Sequence, residues 1–264
     1  MPTLPLTHIQ YTRLDPMTWC ATAQVSEPLY VDTKAIWGKS VRLSVSHILD
    51  RDFHKIPRIN WYYHPLQSQL SVKEVAHNQR QRQRKGVRLL LKALLNKLEI
   101  TDILNESSFP YRLIESQHYV CFSHTDMGHR SDSGKDSEHN KSRTPSNHIA
   151  VVISHRHAVG IDIETNKVAW HVAQRFYHPH ETAALQALPT NERSAITKLL
   201  WQIKESFIKV YQYKLAQGLG MDYSYLIPSL INIINENTAL SVISDNKANY
   251  HIVVLPSQQT VIVF

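Results

Sequence analysis

The sequence predicts an α+β protein, on three observations. Alternating, β-branched segments lie near both ends of the chain. Apolar residues recur at three- and four-residue spacing over residues 71–98 and 191–214, which is helical periodicity. Each half of the chain mixes both kinds of element, so strands and helices are not segregated into separate domains. No short repeat occurs, but the similar content of the halves permits an internal duplication.

In chain order, strands are expected at Thr18–Val25 and Leu29–Val31, followed by a helical segment near Val41–Leu49. The helix over Ser71–Leu98 begins with Arg80, Arg82, Arg84, Lys85 and Arg88. It continues with Leu89, Leu90, Leu91, Leu94, Leu95 and Leu98, so it reads as an amphipathic helix with a basic N-terminal half. A short strand is read at His118–Phe122. Residues 126–147 are almost wholly polar, cannot bury enough surface to fold alone, and read as a flexible insertion. Ile149–Ser154 and Ala158–Ile163 read as a hairpin closed by the turn Ser154-His155-Arg156-His157. Helices are expected at Trp170–Phe176, Pro179–Leu188 and Asn191–Lys214, and strands at Ile252–Leu255 and Thr260–Phe264.

The 264 residues suit one domain or two modest ones, and 42% hydrophobic residues suffice for a core. Two distant cysteines, Cys20 and Cys121, make no disulfide framework and fit a reducing compartment. The N-terminus has no signal-peptide pattern and no apolar run is long enough to span a membrane, so the expected location is the cytoplasm. A formal charge of +7 favours an acidic or phosphate-rich partner. The sixteen histidines are scattered, show no zinc spacing, and are expected mostly at the surface.

Three groups carry possible chemistry. In Gly160-Ile161-Asp162-Ile163-Glu164, strand alternation puts both carboxylates on one face and both isoleucines on the other. That is either half a site for a hard cation such as Mg²⁺ or a strand with solvated acids. In Trp201-Gln202-Ile203-Lys204-Glu205-Ser206-Phe207-Ile208-Lys209, helical spacing groups Trp201, Glu205 and Lys209, with Lys204 beside them. Glu205 offers a metal ligand or general base and Lys209 a phosphate contact, or the two form an ordinary surface pair. Ser123-His124-Thr125 ends a strand and offers phosphate contacts. The absence of G-x-S-x-G argues against a hydrolase nucleophile.

Order and spacing are more specific than any one group. Phe109-Pro110-Tyr111, Ser123-His124, Gly160-Ile161-Asp162-Ile163-Glu164 and Trp201-x-x-Lys204-Glu205-Ser206-x-x-Lys209 together resemble the surfactin-synthetase-activating (Sfp-like) class of 4′-phosphopantetheinyl transferases. So does Gln217-Gly218-Leu219-Gly220-Met221. The resemblance covers roughly residues 75–225. It implies two similar α/β halves related by a pseudo-two-fold axis, 1–156 and 157–264, with the active site in the cleft between them. It implies transfer of phosphopantetheine from coenzyme A to a serine of an acidic acyl or peptidyl carrier protein of fatty-acid, polyketide or nonribosomal-peptide synthesis, by a monomer. Asp162, Glu164 and Glu205 would hold Mg²⁺. Glu205 would take the serine proton, Lys209 would neutralise or protonate the departing phosphate, and Lys204 would help hold it. Ser123 and His124 would contact the nucleotide, and Arg84 the coenzyme A phosphates.

The chain departs from that pattern at Thr125, where a second serine is usual, and at Phe109, where a basic residue is common. The Arg80–Arg88 run also reads as a solvated helix face. A nucleic-acid patch is disfavoured because no aromatics interleave the arginines. A metal-dependent phosphohydrolase or nuclease and a non-catalytic basic binding module stay open as alternatives.

Overall fold

The computed structural model describes residues 5–25, 72–126, 147–236, 238–245 and 249–264. The strand expected at Leu29–Val31, the helix at Val41–Leu49 and the interior of the expected insertion lie outside them. Strands β1 (Leu6–Asp15), β2 (Thr18–Val25), β3 (Leu104–Asn105), β4 (Tyr111–Leu113), β5 (Tyr119–Asp126) and β6 (Asn147–Ser154) form one antiparallel sheet in the order β1-β2-β6-β5-β4-β3. Strands β7 (Gly160–Ile163), β8 (Ser241–Asp245), β9 (Tyr250–Leu255) and β10 (Thr260–Val263) form a second, in the order β7-β10-β9-β8. Both sheets belong to one compact unit.

The two sheets repeat one path. In the first, β2 is followed by helix α1 (Val72–Lys97), and the last strand, β6, returns beside β2 with β5 and β4 outside it. In the second, β7 is followed by helices, and the last strand, β10, returns beside β7 with β9 and β8 outside it. The helices between β7 and β8 are α2 (Trp170–Phe176), α3 (Pro179–Gln186), α4 (Thr190–Tyr211), α5 (Leu215–Leu219) and α6 (Ile227–Glu236). The fold is α+β with an internal duplication of topology, as expected.

Strand alternation sorts the core into three layers. Ala21, Ala23, Val25, Ile149, Val151 and Ile153 face α1, whose Val87, Leu90, Leu91 and Leu94 cover them. Cys20, Cys121, Ala150 and Val152 face Ile161, Ile163, Val253 and Ile262 of the second sheet. Ile252, Val254, Val261 and Val263 face Ile203, Phe207 and Val210 of α4. Each strand position thus chooses its layer by the period of two. Among the described residues no helix is long and apolar enough to cross a membrane.

One expectation is corrected. Ile149–Ser154 and Ala158–Ile163 do not form a hairpin: β6 pairs with β2 and β5, whereas β7 pairs with β10. Strand β6 is apolar on both faces, as a central strand covered on both sides must be. Residues 155–159 therefore carry the chain from one sheet to the other instead of folding it back.

Candidate active site

The site forms where β7, α4 and β5 meet, and Gly160 explains why they meet so closely. A Cβ on Gly160 would lie 2.0 Å from the carbonyl oxygen of Ser206 on α4. Only a residue with no side chain lets the helix backbone rest on the strand there. Ser206 fastens the contact by donating its hydroxyl to the Val261 carbonyl at 3.2 Å. Asp162 lies two residues along β7, and Glu205 and Lys209 flank Ser206 on α4.

Lys209 donates its three protons to the Ile161 carbonyl at 2.6 Å, to Asp162 Oδ1 at 3.1 Å and to Ser123 Oγ at 3.3 Å. Ser123 donates to Asp162 Oδ1 at 3.0 Å and accepts from the Ile163 amide at 3.2 Å. Thr125, two residues on along β5, donates to Glu164 Oε1 at 3.0 Å. The alternation of β5 and that of β7 are therefore matched, hydroxyl to carboxylate, twice. The threonine that departs from the usual serine retains the hydroxyl this contact uses.

Electrostatics bind the remaining members. Burial pushes the Glu205 carboxyl above its ordinary value; the Lys209 ammonium opposes this, and the Asp162 and Glu164 carboxylates add to it. Burial pulls Lys209 down, but the Asp162 carboxylate, with Cys121 and Glu205 behind it, outweighs this and holds the ammonium above its ordinary value. Lys198, one face-turn earlier on α4, is lowered by burial against the pull of Glu164 and Asp162. Gln202 donates to the Gln259 carbonyl at 2.7 Å and to the Asp162 carbonyl at 3.4 Å. Lys198 and Gln202 were not among the sequence candidates. Their spacing to Glu205 and Lys209 (198, 202, 205, 209) is a helical stripe that could have found them.

The cluster holds three carboxylates against two ammonium groups, so it has a surplus of negative charge and of oxygen donors. The hydrogen bonds above engage Oδ1 of Asp162 and Oε1 of Glu164, and the second oxygen of each carboxylate makes none of them. Such a donor set fits a hard cation of the Mg²⁺ type, which takes few carboxylates and keeps other oxygens as ligands. The three carboxylates do not converge within 4.8 Å as a preassembled ligand set. Among the described residues that closeness is reached by His178, His180 and Asp222.

Three sequence candidates sit differently from expectation. Lys204 is fully buried and salt-bridged to Glu181 at 2.9 Å, a residue of α3 that is itself fully buried. Its other protons go to the carbonyls of Leu219 and Met221, and its ammonium lies over Tyr177 and Tyr223 at 5.1 and 5.2 Å. Fully buried, it has no access to a bound phosphate, and the expectation that it holds one is corrected. Trp201 likewise leaves the Lys209 face: eight residues overshoot two turns by about 80°, and its ring stacks 6.5 Å from Tyr177. Ser123 is 5% exposed and committed to Asp162, so its place is behind the carboxylate.

His124 is exposed and, by alternation, lies on the opposite face of β5 from Ser123 and Thr125. Arg84 is exposed on α1; its carbonyl accepts from the Arg88 guanidinium at 2.7 Å, and Arg88 pairs with Glu106. Among the described residues, no hydrogen bond or ion pair joins Arg84 to the carboxylate cluster. Phe109 and Tyr111, edge to face at 5.3 Å, lead into β4 beside β5.

An α+β fold with duplicated topology and a carboxylate–lysine cluster at a strand–helix contact defines a candidate phosphate-handling enzyme. Residues 158–255, which carry Asp162, Glu164, Glu205 and Lys209, match the model of the 4′-phosphopantetheinyl transferase superfamily. That match supports phosphopantetheinyl transfer from coenzyme A as the general activity. No curated protein and no solved structure matches the chain.

Proposed function

We propose that this protein is a Mg²⁺-dependent 4′-phosphopantetheinyl transferase of the Sfp-like class, which converts apo acyl or peptidyl carrier proteins to their holo forms. The observation that carries this reading is the placement of Asp162, Glu164, Glu205 and Lys209 around one strand–helix contact, inside the segment that matches the superfamily.

In the proposed reaction the hydroxyl oxygen of the carrier serine attacks the phosphorus that bears the pantetheine arm. A new P–O bond forms to serine. The bond from that phosphorus to the bridging oxygen breaks, and 3′,5′-ADP leaves with the electron pair. Asp162, Glu164 and Glu205 would hold Mg²⁺, which when bound neutralises charge on the pyrophosphate. Glu205 takes the serine proton; its raised pKa brings it nearer to the range in which a carboxylate is an effective base. Lys209 serves as a fixed positive charge on the departing phosphate. Its raised pKa makes it a poor proton donor near neutrality, so charge stabilisation is favoured over protonation. Ser123 and Thr125 orient Asp162 and Glu164. His124 would reach the 3′-phosphate and Arg84 another phosphate of coenzyme A. The net charge of +7 suits docking of an acidic carrier to a monomer that contains both halves of the cleft.

Intact-mass measurement of an apo carrier protein incubated with the protein, coenzyme A and Mg²⁺ tests this directly. A gain of about 340 Da, the covalently attached arm, is expected. Hydrolysis of coenzyme A with no carrier gain would transfer the reading to a phosphohydrolase.

A further inference from the structure

A second cluster of ligating side chains lies away from the carboxylates of β7. His178 and His180 bracket Pro179 at the start of α3, and Asp222 comes from the turn after α5, 42 residues on from His180. Nδ1 of His180 lies 3.0 Å from Asp222 Oδ2, and Nδ1 of His178 lies 3.6 Å from the same oxygen. One ligand atom from each of the three residues falls within 4.8 Å of the others. A tetrahedral zinc ion with bonds of about 2.0–2.1 Å holds its ligand atoms about 3.3 Å apart. The two distances to Asp222 straddle that value, and the two histidine ligand atoms lie within 4.8 Å of each other.

The cluster is also held in place. Asp222 Oδ1 accepts the Ser224 amide at 2.9 Å, which leaves Oδ2 facing the histidines. The backbone on either side is pinned from below: Lys204 takes the carbonyls of Leu219 and Met221, and Glu181 Oε1 takes the Tyr223 amide at 2.9 Å. The other oxygen of Glu181 receives the His178 amide at 2.9 Å. The same buried Glu181–Lys204 pair therefore fixes both segments that supply ligands. His178 Nδ1 accepts the His180 amide at 3.3 Å as the cap of α3, and a bound ion would take that lone pair in place of the amide.

We propose that His178, His180 and Asp222 form a binding site for a borderline-soft divalent cation of the Zn²⁺ class, distinct from the carboxylate cluster. Two imidazoles and one carboxylate are a zinc-type donor set, whereas Mg²⁺ prefers oxygen alone. The His180 side chain is 73% exposed, so a fourth position is open to water. The ion would clip the start of α3 to the turn before Tyr223. This inference does not rest on the proposed transferase activity.

The test is calorimetric titration of the chelator-stripped full chain with Zn²⁺, and with Mg²⁺ in parallel, for wild type, three variants of the cluster and Asp162→Asn as the control. His180→Asn changes an exposed residue. His178→Asn retains a capping side chain at the helix start, and Asp222→Asn retains an acceptor for the Ser224 amide. Each cluster variant should weaken one equivalent of Zn²⁺ by at least about tenfold, with an unchanged circular dichroism spectrum and no change in Mg²⁺ binding. Zn²⁺ affinity unchanged in His180→Asn and Asp222→Asn, or lost in Asp162→Asn instead, would overturn the site.

Discussion

Lys204 and Lys209 stand five residues apart on α4, each spends its protons on one carboxylate and nearby oxygens, and the two pairs differ in what surrounds them. Lys204 and Glu181 are both fully buried, with one negative charge to one positive. Lys209 and Asp162 remain 22% and 11% exposed, beside Glu205, Glu164 and Lys198. The first pair is closed, because neither side chain is exposed to solvent. The second has more carboxylates than cations and an approach from solvent. A closed pair can fix a turn, and an open, unbalanced one can take up a cation and a phosphate.

Breaking the closed pair should give the largest effect. Lys204→Met leaves Glu181 as a buried charge without its partner and should cost about 3–5 kcal/mol of stability. Urea denaturation would measure it. Replacing both residues, Lys204→Met with Glu181→Leu, should recover most of the loss, because an apolar pair needs no desolvation of charge. Turnover per folded molecule should stay near wild type. A Lys204→Met protein of normal stability but no activity would erase the difference between the two lysines.

The open pair should respond in the opposite way. Asp162→Asn should lower carrier loading by about 10²–10³-fold, near 3–4 kcal/mol of transition-state stabilisation, while its urea midpoint stays within the range of ordinary surface changes. Carrier loading followed by mass gives the number. Full activity in this variant would remove Asp162 from the reaction.

The sequence carried the open site better than the closed one, for a physical reason. Asp162, Glu164, Glu205 and Lys209 are placed by local periods, two along β7 and four along α4, and such periods are visible in a string of residues. The partner of Lys204 is Glu181, on another helix, and no local pattern joins them. The phase of α4 did hold a warning: five residues turn a helix by about 140° beyond one full turn, so Lys204 and Lys209 cannot share a face. The strand Thr18–Val25 and the helices at Trp170 and Pro179 were legible from alternation and periodicity. Strand β1 was not, because its residues are largely polar and its burial low, as suits a sheet edge. The hairpin was misread because β6 and β7 lie close in sequence and both read as strands, yet pair with strands far along the chain.

Gly160 sharpens the comparison by moving the helix that carries both lysines. Gly160→Ala would put a methyl 2.0 Å from the Ser206 carbonyl, so α4 must shift away from β7. Overpacking of this kind costs about 1–3 kcal/mol, measurable by urea denaturation. Lys209, which crosses that contact to reach Asp162, should lose function, whereas Lys204 reaches only α3 and the turn after α5. Reduced loading with the Lys204 environment intact by Tyr fluorescence is expected, and wild-type loading would show that the close approach is not needed.

The smallest effect is one of pH and stability at Glu205. Its carboxyl is raised above the ordinary 4.5, by burial first and then, against the pull of Lys209, by Asp162 and Glu164. As pH rises from below 4.5, the unfolded chain releases this proton before the folded protein does. The folded state then holds more protons, so stability falls with rising pH until the folded-state pKa is passed. Above it the full cost of an ionised Glu205 is present. Glu205→Gln lacks that cost, so the variant should gain stability over wild type as pH rises through the window and keep the gain at neutrality, while losing transfer. Added Mg²⁺ should stabilise wild type and narrow the gap, because a cation held by the carboxylates binds the folded state alone. Thermal denaturation across the pH range, with and without Mg²⁺, reads both effects. A variant less stable than wild type at neutral pH would mean that the attraction between Glu205 and Lys209 outweighs burial, and the open site would then be held together by the charges assigned to its chemistry.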